Sequence, residues 1–399
     1  MSNYEPLGKH IRLVDTRNTE SITDLVLGIN IDKYFMPSVA NVIGTDLSKY
    51  KLLSKGLFAC NPMHVGRDER LPVALYTDDE PAIVSPAYFM FEIIDTEILD
   101  PEYLMMWFRR PEFNRLCWLK TDGSVRGGIT WDDICRLEVP VIPIEEQLHI
   151  VKNYNIITER IRLKQKINDN LRETATVEFF AKIRYRNCDS EDSQETEIGT
   201  YPSSWTITTL GKVLETIIDR RGVTPTKLGG EWSESGIIAL SAKSVKNHEL
   251  VNLDIANRVD EDLYNRWMQQ KLQPQDILMT SEAPLGEFYY IADFCEYCLS
   301  QRLFAMRANK AIIEPTLLYF QLTDTIGKHQ IDIRKTGTTV TGIRQSELIQ
   351  VPIVIPPKDI QMEFAKLCDP IMVAIEKNAD EILHLQQLLT MLLAKMSSR

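Results

Sequence analysis

The sequence predicts an α+β fold: two mixed, β-rich domains joined by two long helices that form an antiparallel coiled coil, with a pseudo-two-fold internal repeat. Three observations lead there. The chain matches itself at a displacement of 214 residues, each copy opens with short β-rich stretches, and each closes on a long helix with a heptad stripe. At 399 residues the chain is too long for one small core, which suits two domains. Apolar residues at 44% and charged residues at 25% exclude wholesale disorder.

The repeat runs without a gap for almost fifty positions. Asp100-Pro-Glu-Tyr-Leu falls on Glu314-Pro-Thr-Leu-Leu, and Thr121-Asp-Gly-Ser-Val-Arg-Gly-Gly-Ile falls on Lys335-Thr-Gly-Thr-Thr-Val-Thr-Gly-Ile. Leu137 to Gln147 then falls on Val351 to Gln361. Leu7-Gly-Lys matches Leu210-Gly-Lys at a different offset, so the intervening middles differ in length. A period this long marks a duplicated domain and not a solenoid.

Within each copy the order of elements is the same. Ile237-Ile-Ala-Leu and Asp276-Ile-Leu-Met read as strands between turn residues. A helix of about 15 residues is expected after Pro101 and after Pro315, where proline suits a first helical turn. A Gly/Ser/Thr loop follows, then a short apolar segment closed by proline, Val139 to Pro143 and Ile353 to Pro357.

The long helices carry the strongest local signal. Phe364, Cys368, Ile371, Ile375, Asn378, Ile382, Leu385, Leu389, Leu392 and Met396 alternate gaps of four and three, the seam of a coiled coil. In the first copy the seam is Ile150, Tyr154, Ile157, Ile161, Lys164, Asn168, Leu171 and Ala175, with Lys164 in the place of Asn378. A helix of about 40 residues is on the order of 60 Å long, too long to bury its stripe on a small domain. The two stripes are expected to pair with each other, since one chain holds them at high effective concentration; the alternatives are a helix lying on its own domain and a homodimer with another chain. The expected boundaries are 1–144 and 201–358 for the domains, 145–186 and 359–399 for the helices, and 187–200 for an acidic linker.

Catalytic signatures are missing. No phosphate loop, dinucleotide-binding glycine pattern or H-E-x-x-H occurs, and Cys295-Glu-Tyr-Cys298 has no second pair at zinc spacing. No Glu-x-Lys exists, and Asn61-Pro-Met lacks the second proline and aromatic residue of an adenine methyltransferase motif. No catalytic residue, metal or cofactor is expected in this chain. Seven scattered cysteines suit free thiols, and neither a signal peptide nor a membrane span is legible, so a cytoplasmic protein is expected.

Two dissimilar β-rich units, each followed by a near-repeated long helix, resemble the specificity subunit of type I restriction–modification enzymes. The opening Tyr201-Pro-Ser-Ser-Trp-Thr-Ile-Thr-Thr-Leu-Gly-Lys, the loop Thr336-Gly-Thr-Thr-Val-Thr-Gly-Ile-Arg and the entry Ile-Pro-Pro-Lys-Asp-Ile-Gln to the second long helix carry the likeness. The first half departs from it, since Tyr4-Glu-Pro-Leu-Gly-Lys has no tryptophan. The resemblance implies a non-catalytic DNA-recognition subunit. Each domain would read half of a bipartite target, and the helices would set the spacing and dock two adenine-methylating modification subunits. S-adenosylmethionine would belong to those partners, and ATP and Mg2+ to the restriction subunits. Two alternatives are a protein-only coiled-coil adaptor and the recognition subunit of a related system with fused methyltransferase and nuclease.

Base and phosphate contacts call for cations and small hydroxylated loops. The candidates are Arg67, Arg70, Lys120, Ser124 and Arg126 in the first half. In the second they are Arg220, Arg221, Lys243, Lys335, Thr338, Thr339 and Arg344. Candidate pairing residues are Ile157, Ile161, Leu171, Ile371, Ile375, Asn378, Ile382, Leu385 and Leu389. A net charge of −11 opposes strong binding of DNA by the isolated chain, although 145–186 holds nine Lys/Arg against six Asp/Glu.

Overall fold

The structure is a computed structural model that describes residues 3–39, 42–63, 65–121, 127–184, 192–293, 296–337 and 341–396. The chain divides into two compact units, 1–162 with 384–399, and 163–383.

The first unit is built on a four-stranded antiparallel sheet in the order Ile11–Val14, Phe89–Ile93, Phe58–Cys60, Val73–Leu75. Phe58 stacks on Phe91 with ring centres 5.0 Å apart, and Phe108 meets both edge-on. Beside the sheet, Asn3–Pro6 pairs antiparallel with Glu138–Val141. Gly8 passes so close to Cys135 that an added Cβ would stand 2.8 Å from the Cys135 Cβ, so only glycine fits. An insertion between the frame strands adds the hairpin Leu27–Ile29 with Phe35–Pro37 and the pair Lys51–Leu53 with Ala82–Val84.

The second unit repeats the frame. Its sheet runs Leu214–Asp219, Leu303–Ala308, Ile277–Ser281, Leu285–Tyr290, and Thr206–Thr209 pairs with Pro352–Ile355. Gly211 meets Ile349 as Gly8 meets Cys135, and both pairs obey the repeat. The insertion is of another kind. A three-stranded sheet orders Arg258–Val259, Ile237–Leu240 and Tyr297–Leu299, the last pairing in parallel, and packs against the helix Glu261–Trp267. Like frames thus carry unlike insertions.

One glutamine anchors each frame. Gln147, fully buried, accepts from the Asp100 N–H at 2.9 Å and donates to the carbonyls of Ile98 and Ile142 at 2.8 and 2.7 Å. Gln361 accepts from the Glu314 N–H at 3.0 Å and donates to Ile312 and Pro356 at 3.2 and 2.7 Å. Every partner is the counterpart of its fellow in the other repeat. A primary amide suits this site because it offers an acceptor and two donors at once.

The long helices span Ile144–Phe179, continued by a turn over Phe180–Arg184, and Lys358–Lys395, about 54 and 57 Å at 1.5 Å per residue. In the first unit Ile150, Val151 and Tyr154 share a core with Leu389, Leu392, Leu393 and Met396. In the second, Leu171, Ala175 and Phe179 share one with Phe364, Cys368, Ile371, Met372 and Ile375. Low numbers of one helix meet high numbers of the other, so the pairing is antiparallel and lies within one chain. Of the predicted seam residues, Ile161, Ile375 and Leu385 are buried, and Ile157, Leu171, Ile371, Asn378, Ile382 and Leu389 are half-buried.

The polar seam residues meet one another. Lys164 donates to Asn378 Oδ1 at 2.8 Å, Asn378 donates to Asn168 Oδ1 at 2.8 Å, and Asn168 donates to the Ile375 carbonyl at 3.1 Å. Glu381 pairs with the Lys164 ammonium at 2.7 Å. Lys164 and Asn378 are counterparts in the repeat, and in an antiparallel duplicated pair counterparts can face each other at one level only.

Two expectations need correction. The helix of about 15 residues is two helices in each unit, Pro101–Phe108 with Pro111–Leu119 and Pro315–Thr323 with Thr325–Asp332. Pro111 ends the first, because the residue before a proline is driven out of helical backbone. In the second unit Asp324 is extended and caps the Gly327 N–H, and an added Cβ at Gly327 would lie 2.0 Å from the Gln321 carbonyl. The segment 187–200 is not linker throughout, since Ser193–Thr196 pairs with Gly199–Pro202 as a hairpin. Beside that hairpin the family-like opening earns its place: Trp205 stacks on Tyr201 at 5.9 Å, and both are buried.

Replacing Gln147 or Gln361 by alanine strands buried backbone groups on the frame. Each substitution should lower unfolding free energy by about 3 kcal/mol, with the denaturation midpoint of the affected unit as the readout.

Candidate nucleic-acid interface

Candidate cations among the described residues stand at one end of each four-stranded sheet. In the second unit antiparallel register puts Asp219 opposite Phe304 and Thr280 opposite Leu303, so the strand ends near 219, 281 and 303 share an edge. Backbone bonds extend this rim. Ser281 N–H donates to the Arg302 carbonyl at 2.8 Å, Ile343 N–H to Ser281 at 2.9 Å, and Ala242 N–H to Gln301 at 3.2 Å. The loop mouth is closed by Thr336 and Gly342, whose N–H groups donate to each other's carbonyls at 2.7 and 3.0 Å. Gly337 has a φ of 98°, which favours glycine.

Lys243, Lys335 and Arg344 therefore stand exposed along one connected rim. Lys335 pairs with Asp332 at 2.8 Å, and Arg344 is the residue before the short helix Gln345–Leu348. Arg221 forks onto Asp219 at 2.7–3.0 Å and lies over the Phe304 ring at 4.1 Å. Arg220 is half-buried, and among the described residues its Nε has no hydrogen-bond partner. Thr338 and Thr339 lie outside the described residues. Sequence reasoning missed Arg302 and Glu282, which pair at 3.0 Å on this rim. Nothing in their local sequence marks them; strand register brings them together.

The first unit offers the same edge. Gly66 N–H donates to the Gly127 carbonyl at 3.0 Å and Ile129 N–H to the Pro62 carbonyl at 3.1 Å, which joins the Asn61–Arg70 segment to the Gly/Ser loop. Ile129 and Gly128, the latter 3.0 Å from Pro62 by an added Cβ, are the counterparts of Ile343 and Gly342. Arg70 is exposed and pairs with Asp32 at 3.1 Å, and Lys120 is exposed at the end of Pro111–Leu119. Ser124 and Arg126 lie outside the described residues, as does the Arg67 side chain within the short helix Val65–Asp68. Arg17, also missed, pairs with Asp15 and donates to the Lys49 carbonyl at 2.8 Å.

The turn that carries Asp32 is fixed by a buried lysine. Lys33 has a φ of 68°, donates to the Phe108 carbonyl, and lies 4.4 Å from the centre of the Phe113 ring. Burial pushes its ammonium down to about 7, partly offset by the thiols of Cys117 and Cys60. In the second unit the Asn247-His248 turn is held likewise: His248 Nδ1 meets Tyr319 OH at 2.7 Å, and burial pushes its imidazole down to about 4. Among the described residues no group of His, Cys, Asp or Glu could hold a metal, and no helix is long and apolar enough to cross a membrane.

Residues 202–385 match the type I restriction modification DNA specificity domain. Over those residues the chain is similar to type I restriction–modification specificity subunits. A putative type I restriction enzyme specificity subunit of Methanocaldococcus jannaschii is 22% identical over 371 residues, covering 91% of this chain and 80% of the relative. The crystal structure of a type I restriction–modification S subunit from M. genitalium shares the fold, with a TM-score of 0.62 and 13% identity over 99% of this chain and 96% of that one. Type I specificity subunits are non-catalytic DNA-recognition subunits. Outside 202–385, the first half carries the same frame through the repeat.

Lys33 gives the first unit a pH signature. Its proton is held more weakly in the folded chain than in the unfolded one, so folding binds fewer protons between about pH 7 and the ordinary lysine value of 10.5. Stability of that unit should rise across this window and lose the contribution as pH falls to 7. Thermal unfolding of Lys33→Met across the window should show that rise flattened.

Proposed function

We propose that this chain reads a bipartite DNA target, one half with each sheet-end rim, as the recognition subunit of a type I complex. The single observation that carries this reading is the pairing of two matched frames with two unmatched rims at the same sheet end. An asymmetric target needs two different readers at a fixed separation, and half-sites on one face of B-DNA lie about 34 Å apart. A helix pair of the length observed is stiff enough to set such a separation. Residues 1–144 and 201–358 serve as the two target-recognition domains, and the long helices serve as spacer and as docking scaffold. The candidates Arg70, Lys120, Arg221, Lys243, Lys335 and Arg344, with Arg67, Ser124, Arg126, Arg220, Thr338 and Thr339, belong to those reading surfaces.

Two modification subunits would bind S-adenosylmethionine and methylate adenine, restriction subunits would use ATP and Mg2+, and the complex would work in the cytoplasm. The charge distribution supports a shared DNA footprint. On the rims Arg70, Arg221, Arg302 and Lys335 are already paired with carboxylates. In a chain of net charge −11 these cations neutralise few phosphates, so much of the non-specific affinity must come from partner subunits. A protein-only adaptor would leave the unlike rims without a use.

Methylation mapping tests the reading. Cells expressing this chain with its modification subunit should modify adenine in a split motif with a fixed unspecified gap, and the pattern should vanish without this chain. A soluble complex that methylates without any motif would contradict it.

A further inference from the structure

Glu282 and Arg302 form an exposed ion pair that the recognition surface has not yet explained. Arg302 Nε lies 3.0 Å from Glu282 Oε1, and the two side chains are 51% and 38% exposed. An exposed pair of this kind contributes little to stability. Its surroundings are nevertheless tightly determined. Arg302 and Ala283, the residue after Glu282, both hold left-handed backbone, with φ of 65° and 51°, which costs non-glycine residues free energy. Glu282 bridges to Gly342 of the glycine loop, where an added Cβ would lie 3.0 Å from the Glu282 Cβ and 2.9 Å from the Ser281 carbonyl. The Ser281 N–H bond to the Arg302 carbonyl ties the two strand ends together beneath the pair. Backbone, loop and strand register therefore all converge to hold two exposed side chains side by side.

We propose that Arg302 and Glu282 read one G·C base pair in the half-site recognised by the second domain. The chemistry of the pair is complementary to that base pair across the major groove. A guanidinium donates to guanine O6 and N7, and a carboxylate accepts from the N4 amino group of cytosine. The carboxylate next to the arginine also disfavours a phosphate in that position, since an anion there would be repelled by Glu282. The pair thus belongs on a base edge and not on the backbone. This assignment rests on the reading of the second rim as a DNA-recognition surface.

The test is methylation mapping of Arg302→Lys, Arg302→Ala and Glu282→Gln in the full chain with its modification subunit. Loss of the arginine fork should relax one G·C position of one half-site by roughly tenfold or more. Glu282→Gln, which keeps the shape and removes the charge, should admit other bases at that same position. The other half-site and the gap should stay as they are, and their retention reports that the chain still folds and assembles. Unchanged motifs in all three variants would overturn the assignment while leaving bipartite recognition standing. Loss of methylation at both halves by an assembled complex would also overturn it, by making the pair structural. Absence of any motif in the unsubstituted complex would instead sink the underlying reading.

Discussion

A buried glutamine in each repeat ties the long helix to the frame that it leaves. Gln147 and Gln361 each satisfy three backbone groups from two separate segments, the approach to the first frame helix and the turn after the last frame strand. Buried backbone groups without partners are costly, so these bonds define where each helix may start and how it departs. The seam then decides how far the helices run together. Everything at the far end of the sheets, including both rims, inherits its position from that anchored start.

Around this constraint the repeats have diverged in ways that preserve contact but exchange chemistry. In the first unit Asn155 donates to Glu102 at 2.5 Å; the counterpart contact in the second is Thr316 donating to Asp369. The seam does the same at Lys164 and Asn378. A lysine against an asparagine, with Asn168 and Glu381 completing the layer, is satisfied only when these two helices are antiparallel and in this register. Buried polar residues in coiled coils act in this way, fixing register at some cost in stability.

The frame was largely legible in the sequence because duplication printed it twice. Gly128 and Gly342, or Ile129 and Ile343, align by number and then make the same backbone contacts. The heptad stripe announced the helices since its period survives any local change of residue. Gln147 and Gln361 aligned as well, yet their burial left no mark, as a glutamine at the start of a helix is ordinarily exposed. In the insertions a single strand such as Ile237–Leu240 was legible, but its pairing was not. There the repeat breaks, and the meeting of Arg302 with Glu282, or of Arg70 with Asp32, depends on strand register and left-handed turns that no periodicity encodes. Lys33 shows the limit most plainly: a lysine in a polar stretch reads as a surface charge, and only the packing of Phe108 and Phe113 reveals a buried anchor.

On the proposed reading, frame and recognition surface are separable. The measurement that tests this most directly is a swap of residues 15–88, which hold the first insertion together with the frame strands Phe58–Cys60 and Val73–Leu75 that it flanks, for the corresponding segment of a type I specificity subunit, followed by mapping of methylated sites. A duplicated frame that only holds and spaces its insertions predicts one half-site changed, the other half-site intact and the gap unaltered. A changed gap, or changes in both halves from a single swap, would show that frame and reader are not independent.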